Sequence, residues 1–165
     1  VNILQPGPGV GGHCISIDPW FLVGDFPEEA RLIRTAREIN SSMPAYVLDR
    51  IETIMRERAL TDWTRVGLYG LTYKENVDDT RESPTLQLLD VMKKRGVPAP
   101  LVYDPMVSVH KAERQCASFE EFLQGSDVVV LLVGHSQIRR SLPALAGKIV
   151  LDTRGIVTDG SAYTL

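Results

Sequence analysis

Asp127-Val-Val-Val-Leu-Leu-Val133 is an apolar run of strand length with a single charged residue at its head. A strand with one face in water alternates apolar and polar residues. An unbroken run expects cover on both faces, as in a parallel sheet. The neighbouring segments fit that reading. Upstream, Arg65-Val-Gly-Leu-Tyr-Gly-Leu71 is a strand with Asp62–Thr64 as its polar lead-in. Ser83-Pro84 opens a helix that runs to about Arg95, burying Leu86, Leu89, Val91 and Met92, and Gly96 ends it. Ala99–Tyr103 is the next strand, stopped by Asp104-Pro105, and Phe119–Leu123 is a short helix. Downstream, Leu142-Pro-Ala-Leu-Ala146 is a weak helix or turn, and Lys148-Ile-Val-Leu-Asp152 is the last strand. Strands alternating with helices give an α/β chain with a Rossmann-like parallel sheet and right-handed crossovers. Ligands of such sheets bind beyond the carboxyl ends of the strands. Four polar clusters fall there: Tyr73-Lys74 through Ser83, Asp104-Pro105, Gly134-His135-Ser136 and Asp152-Thr153-Arg154. Together they point to an anion or a nucleotide.

Before the sheet, Pro27-Glu28-Glu29 reads as a helix start, with an apolar face from Ala30, Leu32, Ile33, Ala36 and Ile39 through about Asn40. Asn40-Ser-Ser-Met-Pro44 interrupts it. A second helix is expected there, capped by Ser41 or Ser42, with Pro44 in its first turn. Val47, Leu48, Ile51, Ile54 and Met55 line its inner side. Asp18–Val23 reads as a packed segment supporting the loop before it. The boundary between this part (1–60) and the α/β domain (61–165) is placed near residue 61.

Gln5-Pro-Gly-Pro-Gly-Val-Gly-Gly-His-Cys-Ile-Ser-Ile-Asp-Pro19 has no periodic pattern. Its glycines at 7, 9, 11 and 12 allow positive φ or close backbone approach, and Pro6 and Pro8 stiffen the chain between them. This is a shaped loop that holds Cys14 in place; on the residues alone, a structural turn with a buried thiol serves equally well. It is no Walker loop, and a dinucleotide fingerprint needs a strand that Val1–Leu4 barely supplies.

The 165 residues suit one or two small domains, and 44% hydrophobic content indicates a soluble globular protein. A net charge of −3 from interspersed groups offers no basic field to nucleic acid, and no apolar run reaches membrane-spanning length. No leader is evident, and a start without Met inside a loop suggests a fragment. Cys14 and Cys116 are expected to be free thiols in a cytoplasmic protein. His13, His110 and His135 lack metal-site spacing, so no metal is expected.

Gly9-Val-Gly-Gly-His-Cys-Ile-x-x-Asp-Pro19 resembles the nucleophile loop of the UDP-glucose/GDP-mannose dehydrogenase family. With Leu4-Gln5 before it and Trp20-Phe21 after it, it is similar to the branch acting on UDP-N-acetyl-D-mannosamine. Gly70-Leu-Thr-Tyr-Lys-Glu-Asn-Val-Asp-Asp-Thr-Arg-Glu-Ser-Pro84 resembles a second family signature, Leu151-Asp-Thr-Arg154 its terminal strand, and Tyr103-Asp104-Pro105 a family turn. The resemblance implies NAD-dependent, four-electron oxidation of the sugar at C6 through a thiohemiacetal and a thioester on Cys14. It implies that Asp18 orders water and assists proton transfer, whereas the bare residues allow only an Asp-Pro turn. Gly11, Gly12, Tyr73, Lys74 and Arg154 would bind the UDP-sugar, and Arg81 would approach the NAD pyrophosphate. In the plainer reading Arg81 pairs with Asp78 or Glu82. His13 would shape the pocket, and Asp152 would orient Arg154.

Ile17 stands where the UDP-glucose branch often has lysine, which argues for an aminosugar. Gly155 replaces a usual asparagine. Cys116, His110 and His135 receive no role. The resemblance further implies a homodimer through a central helical domain, an absent amino-terminal NAD domain, an inactive fragment, and cytoplasmic synthesis of polysaccharide precursors. Alternatives are UDP-N-acetylglucosamine or UDP-glucose as substrate, a non-catalytic nucleotide-sugar-binding module, and a cysteine hydrolase using His13 or His135. The last is weakened by the lack of an oriented nucleophile–base–carboxylate set.

Overall fold

A computed structural model of the chain describes residues 6–165. The segment Val1–Leu4 and the Leu4-Gln5 part of the loop resemblance lie outside the described residues. The sheet contains β1 (Val66–Tyr69), β2 (Leu101–Tyr103), β3 (Val128–Leu131), β4 (Ile149–Asp152) and β5 (Tyr163–Thr164). All pair in parallel, in the order β2-β1-β3-β4-β5. The chain leaves β1 towards β2, then crosses back over β1 to reach β3. That reversal opens a switch-point crevice between the carboxyl ends of β1 and β3. The expected α/β sheet is therefore present. The fifth strand was not foreseen, because two residues are too few to show a pattern.

Along each strand successive residues enter opposite faces, and both faces are covered. Leu68, Val130 and Leu151 join one core cluster with residues of α2 (Arg31–Glu57) and α3 (Pro84–Lys94). Tyr69, Val129 and Leu131 join a second with Phe122 of α4 (Phe119–Gly125) and Ile138 of α5 (Ser136–Arg140), where α1 is Asp18–Asp25. Gly67 permits the second packing, since a Cβ there would strike Ser126 Oγ and the Phe122 ring. Ser83 caps α3 as expected, its Oγ accepting the Thr85 N–H at 3.2 Å. In α3, Leu88 is fully buried with Met92, whereas Leu86, Leu89 and Val91 are half-buried at the margin. No described helix is long and apolar enough to cross a membrane.

Two expectations are corrected. The interruption at Asn40–Pro44 is absent: α2 runs unbroken from Arg31 to Glu57 with Pro44 inside it. Ser42 does not cap, because its Oγ donates back to the Ile39 carbonyl at 2.8 Å as helix-interior serines do. An internal proline costs about 3 kcal/mol. Val47, Leu48, Ile51 and Ile54 are each 0% exposed, and burying each contributes roughly 1.5–3 kcal/mol. Burial wins.

The segment after the loop is the second correction. It is helical and mostly bare: only Val23 of α1 is buried, and Phe21 is 67% exposed. Leu32 and Ile39 on the first half of α2 are likewise exposed. This half meets α1 and, through Asn40, the loop before it, and the outward Leu32 and Ile39 have no cover among the described residues.

Candidate functional site

Loop residues 6–17 lie across the carboxyl end of the sheet and are tied there through their backbone. The Asn40 side chain clamps Val10, accepting its N–H at 2.8 Å and donating to its carbonyl at 3.4 Å. Asn40 is also the residue whose carbonyl loses its helical donor at Pro44. Gly12 N–H reaches the Arg81 carbonyl at 3.1 Å. A Cβ on Gly11 would overlap the Glu82 carbonyl, and Gly12, at φ 95°, lies under the Tyr73 ring. These two glycines therefore seat the loop. The seat includes Glu82 at φ 50°, a left-handed conformation that costs a non-glycine residue roughly 1–3 kcal/mol.

The chain then turns. The Cys14 carbonyl accepts the N–H groups of Ile17 (3.0 Å) and Asp18 (2.8 Å), leading directly into α1. Cys14 stands exposed at this turn, which removes the buried-thiol reading. Its Sγ lies 3.5 Å from His13 Nδ1, so the adjacent imidazole is within reach of the thiol proton. Asp18, also exposed, is the first residue of α1. Burial pushes the other thiol, Cys116, up. Cys14 is thus the thiol suited to act as a nucleophile.

A cleft of about 460 Å³ opens beside the turn, lined by Gly11 and Ile15 from the loop and by Tyr73, Lys74, Gly134 and Arg154 from the strand ends. It sits at the β1/β3 switch point, and its volume is within the range of small-ligand sites. Lys74 and Arg154 enter no ion pair among the described residues. Arg154 runs beneath the loop, where a Cβ on Gly7 would collide with its guanidinium.

Asp152, 2% exposed, directs its carboxylate at the following turn. It accepts the N–H groups of Arg154 (2.8 Å), Ile156 (2.6 Å) and Val157 (2.7 Å). It orients Arg154 through the backbone, as anticipated. Gly155 has φ 65°, a value that glycine and asparagine both tolerate, so its replacement of asparagine preserves the turn.

Arg81 lies on the far side of Gly12 and pairs with Asp79, rather than with Asp78 or Glu82. Its Nε reaches both Asp79 carboxylate oxygens at 3.0 Å, and Nη2 reaches Oδ2 at 2.5 Å. Those hydrogen bonds hold Asp79 down at about 2 and push Arg81 up, with smaller contributions to Arg81 from nearby Tyr73 and Cys14. The pair occupies Nε and Nη2, leaving the Nη1 edge for an external anion.

The sequence reading missed Asn40 and the buried pair formed by Asp104 and His135. His135 Nε2 lies 3.1 Å from Asp104 Oδ2. The same carboxylate accepts N–H groups from Leu71 (2.5 Å), Thr72 (3.1 Å) and Met106 (2.7 Å). Burial raises the Asp104 pKa, but the bonds from His135 and the backbone outweigh it and hold the carboxyl below its ordinary value. The one signal for His135 was its position at a strand end.

Five of the expected site residues, Gly11, Gly12, Tyr73, Lys74 and Arg154, meet at the cleft and its loop seat; Cys14 does not line the cleft but precedes Ile15, which does. Arg81 stands behind the loop. No hydrogen bond joins the Asp18 carboxylate to the cluster among the described residues.

Comparison with known proteins adds a family. Residues 67–159 match the UDP binding domain of the UDP-glucose/GDP-mannose dehydrogenase family, and residues 1–42 match its central domain. The chain is 46% identical over 160 residues to an NDP-N-acetyl-D-galactosaminuronic acid dehydrogenase of Ralstonia nicotianae, covering 94% of this chain and 37% of that protein. It is 41% identical over 150 residues to the UDP-N-acetyl-D-mannosamine dehydrogenase of Escherichia coli, covering 84% of this chain and 35% of that protein. A solved UDP-D-ManNAc dehydrogenase from Pyrococcus horikoshii superposes with a TM-score of 0.84 at 29% identity, covering 99% of this chain and 40% of that one. The chain thus spans well under half the length of these relatives.

Proposed function

The chain belongs to the UDP-glucose/GDP-mannose dehydrogenase family, and on that footing we propose that it forms the nucleophile loop and UDP-sugar cleft of an NAD-dependent UDP-N-acetyl-D-mannosamine 6-dehydrogenase. One observation carries the reading: Lys74 and Arg154, which enter no ion pair among the described residues, line a switch-point cleft at the turn that carries the exposed Cys14. A diphosphate between them would supply the missing negative charge, and the sugar would extend towards Cys14.

When bound, a nicotinamide cofactor supplies the electron acceptor for both oxidations. Arg81, exposed and with one guanidinium edge open, is the residue here that fits its pyrophosphate. Cys14 performs the covalent work. Its thiolate adds to the C6 aldehyde, a C–S bond forms, and the carbonyl oxygen takes a proton. The second oxidation leaves C6 as a thioester. Water attacks that carbon, the C–S bond breaks, and the carboxylate departs as the thiolate is restored. His13 is within reach of the thiol proton, and Asp18 is assigned to the hydrolytic water.

The division into a catalytic-loop part (1–60) and a UDP-sugar part (61–165) belongs to this reading and is supported by the two matched family segments. So does a cytoplasmic homodimer through the bare outer side of α1 and α2, supported by exposed Phe21, Leu32 and Ile39. A second substrate reading, a nucleotide-linked N-acetyl-D-galactosamine sugar, is favoured by the higher identity to the Ralstonia relative.

Offering UDP-N-acetylmannosamine, UDP-N-acetylgalactosamine, UDP-N-acetylglucosamine and UDP-glucose with NAD separates these. Extended to the length of its relatives, the enzyme is expected to reduce NAD fastest with the manno sugar. The 165-residue chain alone is expected to form no NADH. Preference for another epimer moves the substrate assignment; turnover by the chain alone refutes the partial-enzyme reading.

A further inference from the structure

The chemistry above leaves one buried ionisable pair unused. His135 is 0% exposed and Asp104 5%. His135 Nδ1 accepts the Asn76 N–H at 2.9 Å, while Nε2 faces Asp104 Oδ2 at 3.1 Å and Thr72 Oγ1 at 3.3 Å. A nitrogen that accepts an N–H carries no proton. The geometry therefore selects the neutral ring with its proton on Nε2, pointed at the carboxylate.

This pair holds the segment after β1 at both ends. At the entry, Asp104 Oδ2 binds the N–H groups of Leu71 (2.5 Å) and Thr72 (3.1 Å). In the middle, Thr72 Oγ1 donates to the Lys74 carbonyl at 2.8 Å. At the exit, Asn76 at φ 58° turns its N–H to His135, and its Oδ1 accepts the Ser136 N–H at 2.9 Å. Between the two pins stand Tyr73, which covers Gly12, and Lys74, which enters the cleft.

We propose that Asp104 and His135 are positioning residues for the Tyr73–Lys74 segment, a rigid donor–acceptor strut that sets where the cleft's ammonium group stands. Imidazole suits the task because it presents a donor and an acceptor at opposite edges of one rigid ring. Glutamine can keep the donor towards Asp104 but not the acceptor towards Asn76; asparagine can keep that acceptor but not the donor. The expected loss of ligand affinity rests on Lys74 and Tyr73 being substrate contacts. The strut itself does not.

The test uses the ¹⁵N-labelled chain, UDP as the probe, and the variants His135→Gln, His135→Asn and Asn76→Gly. In the unsubstituted chain, the His135 ring shifts should show a bare Nδ1 and a protonated Nε2. In His135→Gln, Asn76 amide exchange should accelerate at least about tenfold and UDP affinity should fall about tenfold, as for one lost buried hydrogen bond. Protection at Val129 and Val130 should hold and the melting midpoint should fall by only a few degrees, which a general loss of fold would not allow. His135→Asn should recover most of the Asn76 protection. Asn76→Gly, which keeps the N–H and the left-handed φ but loses the Oδ1 bond to Ser136, should weaken UDP binding less than His135→Gln does. A larger loss than in His135→Gln would move the exit pin from the imidazole to the Asn76 side chain. Unchanged Asn76 exchange in His135→Gln, or an Nδ1-protonated ring, would overturn the proposal. If UDP fails to bind the unsubstituted chain while Asn76 protection still follows His135, the strut stands and the ligand reading of Lys74 falls.

Discussion

Two sets of polar residues share the carboxyl end of this sheet, and they are treated oppositely. Asp104, His135, Asp152 and Thr153 are buried, and each has hydrogen-bond partners within the chain. Cys14, Asp18, Lys74 and Arg81 are exposed. A buried polar group must have its desolvation cost offset by a partner within the chain, whereas an exposed one keeps its binding capacity for a visitor. The first set is a frame that shapes turns; the second is the face those turns present. Residue type does not separate them, since aspartate occurs in both. Burial and bonding do.

That contrast makes stability and ligand affinity separable, and it breaks if they are not. The largest expected effect is on the frame. Asp152→Ala would orphan the three N–H groups of the 154–157 turn and is expected to cost about 3 kcal/mol or more in chemical denaturation. Gly11→Ala comes next, because the added Cβ meets the fixed Glu82 carbonyl. It should lift the loop at about 1–3 kcal/mol of stability and slow alkylation of Cys14 in the ligand-bound enzyme, the readout that reports its placement. On the working face, Lys74→Ala should leave stability within about 0.5 kcal/mol and weaken UDP binding, measured by calorimetry, about tenfold. A destabilised Lys74→Ala, or a silent Asp152→Ala, would undo the division between frame and face.

The smallest effect belongs to Asp79. Its carboxyl is held at about 2 against an ordinary 3.8, chiefly by its hydrogen bonds with Arg81. A depressed acid contributes its stability fully above the unfolded value and loses it as pH falls through the folded one. Asp79→Asn should therefore lower stability by a small, pH-independent amount across the neutral range, the difference from the unsubstituted chain vanishing as acid protonates Asp79. It should also remove from the acid titration a carboxylate signal with its midpoint near 2, followed by carbon-detected NMR.

The sheet was legible because Val128–Leu131 and Val66–Tyr69 are apolar throughout, and a doubly covered parallel strand requires just that. Its ligand end followed from topology. Helix α2 was split in the reading because Asn40-Ser-Ser-Met-Pro44 carries strong local stop signals, while the burial that overrides them lies in the sheet. The loop glycines announced a close approach, but not that Glu82 and Tyr73 are what they approach. The pairing of His135 with Asp104 was invisible for a related reason. The two are 31 residues apart, and a lone histidine carries no spacing to read.

The central claim is that the sugar's C6 becomes bonded to Cys14, and the most direct measurement is NADH released per UDP-N-acetyl-D-mannosamine by the enzyme extended to the length of its relatives. Acid-quenched samples would be weighed intact by mass spectrometry, beside a Cys14→Ser variant. The account predicts two NADH per sugar consumed, a sugar-nucleotide adduct on the peptide containing Cys14, and loss of both adduct and turnover in the variant. Two NADH per sugar from Cys14→Ser at an undiminished rate would contradict it.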